Sequence, residues 1–179
     1  MLKRQENFAT YLETLYALLD AENIHGDPDL LNKIKHTELL VPVIGAFSAG
    51  KSSLLNNFMG QNVLPVDLAP ETELATELRY SHDPCLVAIR ENGEEERLPV
   101  EALSTINLRS SEFAYLRLYL DSESLKAIAP LVLVDMPGYG SSLETHSKAI
   151  AFYLPRGVHF IVVTSIEDGT LTKWMLRRL

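Results

Sequence analysis

Residues 45 to 52, Gly45-Ala46-Phe47-Ser48-Ala49-Gly50-Lys51-Ser52, spell a complete G-x-x-x-x-G-K-S phosphate-binding loop. Such a loop works only between a buried strand that delivers it and a helix whose first N–H groups point back at the phosphates. The flanking sequence supplies both. Leu39-Leu40-Val41-Pro42-Val43-Ile44 is an apolar run of strand length. Ser53-Leu54-Leu55-Asn56-Asn57-Phe58-Met59 has helical apolar spacing and stops at Gly60. Between them, the backbone of Gly45, Ala46, Phe47, Ser48, Ala49, Gly50 and Ser53 is expected to wrap a polyphosphate. Lys51 then reaches the β- and γ-phosphates, and Ser52 offers its hydroxyl to Mg²⁺.

The rest of the chain predicts an α/β fold, a three-layer P-loop NTPase domain with a mostly parallel central sheet. Thr72 to Tyr80 alternates as a strand in its second half, Leu86 to Arg90 predicts another, and Asn92-Gly93 signals a two-residue hairpin back toward Arg97-Leu98. Glu94-Glu95-Glu96 beside that turn is read as a solvated hairpin tip rather than a metal site. Ala114 to Leu120 alternates cleanly. Leu131 to Val134 and Phe160 to Val163 are continuous apolar runs of central-strand type, with a helix between them over about 144 to 154. At the other end, residues 2 to about 22 predict an amphipathic helix whose face carries Phe8, Leu12, Leu15, Leu18 and Leu19. Gly26-Asp27-Pro28 breaks it before a short helix at Leu30 to Lys35. That helix either packs on its own domain or belongs to a bundle completed elsewhere. The division expected is a helical segment at 1–38 and a nucleotide-binding domain at 39–179.

Composition narrows the partners. A formal charge of −8 in 179 residues, with no basic stripe, argues against nucleic acid and against simple electrostatic adhesion to anionic lipid. Cys85 is the single cysteine, so neither an internal disulfide nor a cysteine metal cluster can form. The five histidines have no metal-ligand spacing. No apolar run approaches the roughly 20 residues that span a bilayer, and the amino terminus has no apolar signal core. A cytoplasmic location is expected.

A second element complements the loop. Leu131 to Val134 leads into Asp135-Met136-Pro137-Gly138, which places a carboxylate at the carboxyl end of a central strand. Asp135 there can hold Mg²⁺ through a water, and the Gly138 N–H can reach a γ-phosphate. Hydrolysis also needs a mobile threonine. Thr72, in Pro70-Glu71-Thr72, is the candidate for closing on the metal and γ-phosphate, while Thr76 starts the following strand. Tyr139-Gly140-Ser141-Ser142 would form a second switch.

Taken together, these residues resemble a dynamin-family GTPase, most closely the bacterial dynamin-like proteins. The resemblance runs through Ser48 to Gly60, the Val63-Leu64-Pro65 that opens the first switch, Thr72, and Asp135 to Gly138, and covers about residues 39 to 170. It implies binding of GTP and GDP with Mg²⁺, GTP hydrolysis, self-association through the GTPase domain and membrane remodelling. Ser48 takes the role of stabilising charge that develops during hydrolysis, alongside Lys51 and Thr72. The amino-terminal helix resembles the bundle helix that precedes such domains. One departure stands out. Classical dynamins have Gln where this chain has Phe47, which cannot hydrogen-bond to a water. The guanine-reading [N/T]-K-x-D is also absent, so the chain is expected to be the amino-terminal part of a longer protein, with its last strand at a sheet edge and any membrane contact, peripheral in the full-length protein, beyond Leu179. Two rival readings stay open: a nucleotide-binding scaffold with little turnover, and a P-loop ATPase or kinase.

Overall fold

The computed structural model describes residues 3–66, 74–138, 144–157 and 159–165. Its centre is one seven-stranded sheet. The strands are β1 (Leu39–Gly45), β2 (Thr76–Tyr80), β3 (Cys85–Ile89), β4 (Glu95–Leu98), β5 (Tyr115–Leu120), β6 (Leu131–Asp135) and β7 (Ile161–Val163), in the spatial order β4-β3-β5-β2-β6-β1-β7. Around β1 the sheet is parallel, with β6 on one side and β7 on the other. Parallel neighbours need long crossovers, and helices supply them: α3 (Lys51–Met59) leaves β1, and α5 (Glu144–Tyr153) lies between β6 and β7 in sequence. Flanked by strands and covered on both faces, β1 is buried from Val41 to Gly45, which accounts for its unbroken apolar run.

The other half is mixed. β2 runs antiparallel to β6 and parallel to β5, and β3 is antiparallel to both β5 and β4. The parallel expectation therefore holds where the phosphate loop sits, and the sequence between loop and β6 extends the sheet with a hairpin and its neighbour. The hairpin connection also differs from expectation. Arg90 N donates to Glu94 O, leaving Glu91-Asn92-Gly93 as a three-residue turn. A two-residue type I′ turn needs two residues at positive φ; here only Gly93 has one, at 85°.

Two short 3₁₀ helices, Val100–Ser104 and Ile106–Glu112, join β4 to β5, and α4 (Glu123–Ile128) precedes β6. The 3₁₀ pair buries Leu103 and Ile106 against the larger core, which is built from Val43, Leu55, Leu78, Leu86, Leu116 and Leu118. Its outer face ties to the hairpin by charge: Arg90 and Arg109 each pair with Glu96 and Glu112, and both guanidiniums lie over the Phe113 ring. Glu95 pairs with Arg117. Two of the three hairpin glutamates are thus ion-paired rather than merely solvated.

On the opposite face, Ile44, Val134, Met136, Ile150 and Tyr153 form a second core under α5. A charged group is buried there. Glu77 on β2, only 4% exposed, accepts from Tyr153 Oη at 3.0 Å and from Arg79 at 2.9 and 3.0 Å. Arg79 also pairs with Glu38, just before β1. Burial and the neighbouring Glu77 push the Tyr153 phenol far up, so it stays a hydrogen-bond donor.

The amino-terminal helix α1 (Lys3–Ala21) packs along α2 (Pro28–His36), which Asp27 caps by accepting from Asp29 N at 2.9 Å. Gln5 donates to the Ile34 carbonyl and Lys35 pairs with Glu13. The expected apolar face is only partly used. Ala9 and Leu12 are buried, whereas Phe8, Tyr11 and Leu18 are 49%, 61% and 65% exposed. The short α2 is too small to cover a 19-residue helix, so one edge of the stripe stays in solvent. Among the described residues, no helix is long and apolar enough to cross a membrane.

Candidate nucleotide site at the carboxyl ends of β1 and β6

The loop between β1 and α3 closes on itself through Ala49 N donating to Ala46 O at 3.2 Å. Two positive-φ residues shape it: Ser48 at 58° and Gly50 at 91°. Gly50 stands at the N-cap of α3, and no side chain caps that helix. The first N–H groups of a helix lack intrahelical partners, so an uncapped start with its dipole is suited to an anion. Phe47 and Ser48 are exposed on the outer side of the loop, and Ser53 is exposed on the first turn of α3.

Lys51 opens α3 but turns inward. It is buried, with Nζ donating to Gly45 O at 3.2 Å and Ala46 O at 2.9 Å. Burial lowers its pKa, opposed by the charge of Asp135. One residue on, Ser52 Oγ donates to Asp135 Oδ2 at 2.8 Å, joining the phosphate loop to the end of β6. Asp135 is 1% exposed, and burial pushes its pKa up to about 6 against the pull of Ser52 and Lys51. Its other oxygen, Oδ1, is buried with no hydrogen-bond partner among the described protein groups. The next turn comes equally close. A Cβ on Gly138 would lie 2.8 Å from Phe47 Cα and 3.1 Å from Lys51 Nζ, so only glycine fits there.

Lys51, Ser52, Asp135 and Gly138 therefore meet at one point, beside the loop backbone from Gly45 to Gly50. A hydroxyl and a carboxylate side by side are hard oxygen donors, and Mg²⁺ is held in this way, by one or two such groups plus phosphate oxygens. Among the described residues there is no cluster of His, Cys, Asp and Glu that would hold a metal unaided. The donor set fits Mg²⁺ bound together with a polyphosphate. Thr72 and the Tyr139-Gly140-Ser141-Ser142 stretch lie outside the described residues. Thr76 begins β2, opposite Asp135 in the ladder.

One supporting residue was not anticipated from sequence. Asn56, in the middle of α3 and 4% exposed, donates from Nδ2 to Leu64 O at 2.8 Å and accepts from Val63 N and Leu64 N at 3.2 and 2.9 Å. It staples the Val63-Leu64-Pro65 segment to the helix that carries Lys51 and Ser52. A polar Asn on the inner face of a short helix was the available signal.

Residues 41–173 match the family model of the dynamin family. The chain belongs to that family. It is 28% identical over 149 residues to dynamin-like protein 2 of Campylobacter jejuni subsp. jejuni serotype O:23/36 (strain 81-176), covering 76% of this chain and 24% of the relative. It is 25% identical over 173 residues to the "uncharacterized protein in xynA 3′ region" of Caldicellulosiruptor sp. (strain Rt8B.4), covering 90% of this chain and 41% of the relative. Against these curated relatives, then, this dynamin-family chain spans less than half their length. Two solved structures of an oligomerised bacterial dynamin pair are similar to it. They have TM-scores of 0.47 and 0.49 and identities of 18% and 23%, cover 82% and 83% of this chain, and are themselves covered to 28% and 30%.

Proposed function

We propose that residues 39–179 are the amino-terminal part of a Mg²⁺-dependent GTPase domain, preceded by a helical segment at 1–38, and that nucleotide state controls self-association through that domain. The Ser52 Oγ to Asp135 Oδ2 contact at 2.8 Å, beside a buried Lys51, carries the reading. A phosphate loop and a strand-end carboxylate joined in this way suit a metal ion bound with a triphosphate, and dynamin-family membership makes guanine the expected base. Membrane remodelling, through parts beyond Leu179, follows from the family alone.

In this reading the backbone from Gly45 to Ser53 and the α3 amino terminus bind the phosphates. Lys51 leaves the Gly45 and Ala46 carbonyls for the β- and γ-phosphates. Ser52, Asp135 and Thr72 hold Mg²⁺, which when bound neutralises charge on the phosphate oxygens. The Gly138 N–H would reach the γ-phosphate, and Ser48 would stabilise charge developing on the phosphates during transfer.

A second reading keeps the binding and removes the turnover. Phe47 is 37% exposed and has no hydrogen-bonding group where classical dynamins carry Gln, which favours a nucleotide-responsive scaffold. One experiment separates them. The full-length protein is titrated with a fluorescent GTP analogue and Mg²⁺, competed with ATP, and assayed for phosphate release, beside Lys51→Ala. GTP preference with release, both falling at least about tenfold in the variant, is the expected result. Binding without release favours the scaffold. No Mg²⁺-dependent binding, or a preference for ATP, refutes the GTPase assignment.

A further inference from the structure

Beside Asp135 lies a small, partly open space of about 10 Å³. Its walls are mostly apolar, from Leu64, Leu103 and Leu116, and three polar residues reach it: Asp135, Thr76 and Asn107. Two of the three, Asp135 and Thr76, are poorly satisfied by protein groups, and Asn107 is half-buried. Asp135 Oδ1 is the buried acceptor with no protein partner. Thr76 Oγ1 donates only a long bond, 3.4 Å to Leu74 O. Asn107, in the second 3₁₀ helix, makes no side-chain hydrogen bond to another described residue. A carboxylate oxygen left bare in a low-dielectric interior costs a few kcal/mol. A space of this size matches the room one water needs, and a buried water makes about three hydrogen bonds.

We propose that this space is a single-water site, and that Asn107 acts through that water as a positioning residue for Asp135. The water donates to Asp135 Oδ1 and to Thr76 Oγ1, and it accepts from Asn107 Nδ2–H. With Ser52 fixing Oδ2 and the water fixing Oδ1, the carboxylate plane is set at both ends. A partner behind a metal-binding group is worth about 10- to 100-fold in metal affinity. The 3₁₀ pair between β4 and β5, which shares a core with α3, thereby reaches the nucleotide site from the sheet extension. The role assigned to Asn107 rests on the reading of Asp135 as an Mg²⁺ group given above; the water site itself does not.

Two measurements on the full-length protein test this. A nucleotide-free crystal structure that orders buried water should show one water touching Asp135 Oδ1 and Asn107, and a dry or collapsed space overturns the proposal. Asn107→Leu should raise the Mg²⁺ concentration for half-maximal GTP-analogue binding about tenfold and leave affinity in EDTA unchanged, with Asn107→Ser restoring most of the loss. An unmoved Mg²⁺ midpoint, or equal weakening with and without Mg²⁺, overturns the positioning role. If Asn107→Leu does not fold, Thr76→Val removes another partner of the same water, and the same midpoint shift is required of it. Wild-type protein that binds nucleotide without regard to Mg²⁺ defeats the functional reading and the positioning role together, while the crystal structure still decides the water site.

Discussion

Asp135→Asn should make the nucleotide-free protein more stable. At neutral pH the folded chain holds an ionised carboxylate that burial opposes, at a pKa of about 6 rather than 3.8. A shift of roughly two units corresponds to about 3 kcal/mol against folding, at 1.36 kcal/mol per unit, and Asn removes it while keeping an acceptor for Ser52. In a domain of this size that amounts to about 6–12 °C in melting temperature. The sign follows from the protons bound. Between the unfolded pKa of 3.8 and the folded value of about 6, the folded state is protonated and the unfolded state is not. Acidification therefore stabilises the wild type relative to the variant, and the difference should vanish near pH 4. Calorimetry of both proteins in EDTA from pH 4 to 8 tests this. An Asn variant that melts lower at pH 7.5, or a gap that does not close on acidification, refutes the electrostatic argument.

Two further outcomes are expected. Gly138→Ala presses a Cβ against Phe47 Cα at 2.8 Å, a backbone atom that cannot step aside cheaply, so nucleotide affinity should fall at least about tenfold in a fluorescent-analogue titration; an unchanged affinity would show that the loop and the β6 turn are less tightly fitted. Tyr153→Phe leaves Glu77 Oε1 without its 3.0 Å donor inside the core and should cost about 1.5–3 kcal/mol by urea unfolding, whereas a loss near zero would mean that water reaches Glu77.

Legibility followed the range of the interaction. The phosphate loop, β1, α3 and the Asp135 turn are local patterns, each readable within about ten residues, and the structure brings them together. Short elements without a full period were missed, namely the 3₁₀ pair at Val100–Ser104 and Ile106–Glu112 and the six-residue α4. On α1 the apolar count pointed to Phe8 and Leu18, yet small Ala9 is what the close approach to α2 buries. Glu77 looked like an ordinary charged position in an alternating strand, because its partner Tyr153 is 76 positions away. Asn107 offered no sequence signal at all, since its meaning depends on a space bounded by β2, β5 and β6.

The placement of β1 also has a consequence for how the protein is made. Both of its sheet neighbours come late in the chain: Leu39 pairs with Leu131 and Val43 with Ile161. At about 5–20 residues per second, the ribosome needs roughly 5–20 s after β1 to produce even the first of them. Throughout that interval the apolar run ahead of the phosphate loop has no strand to pair with. The strand that delivers the nucleotide loop is therefore made well before either strand that frames it, so during translation its apolar run is a segment for a chaperone to cover.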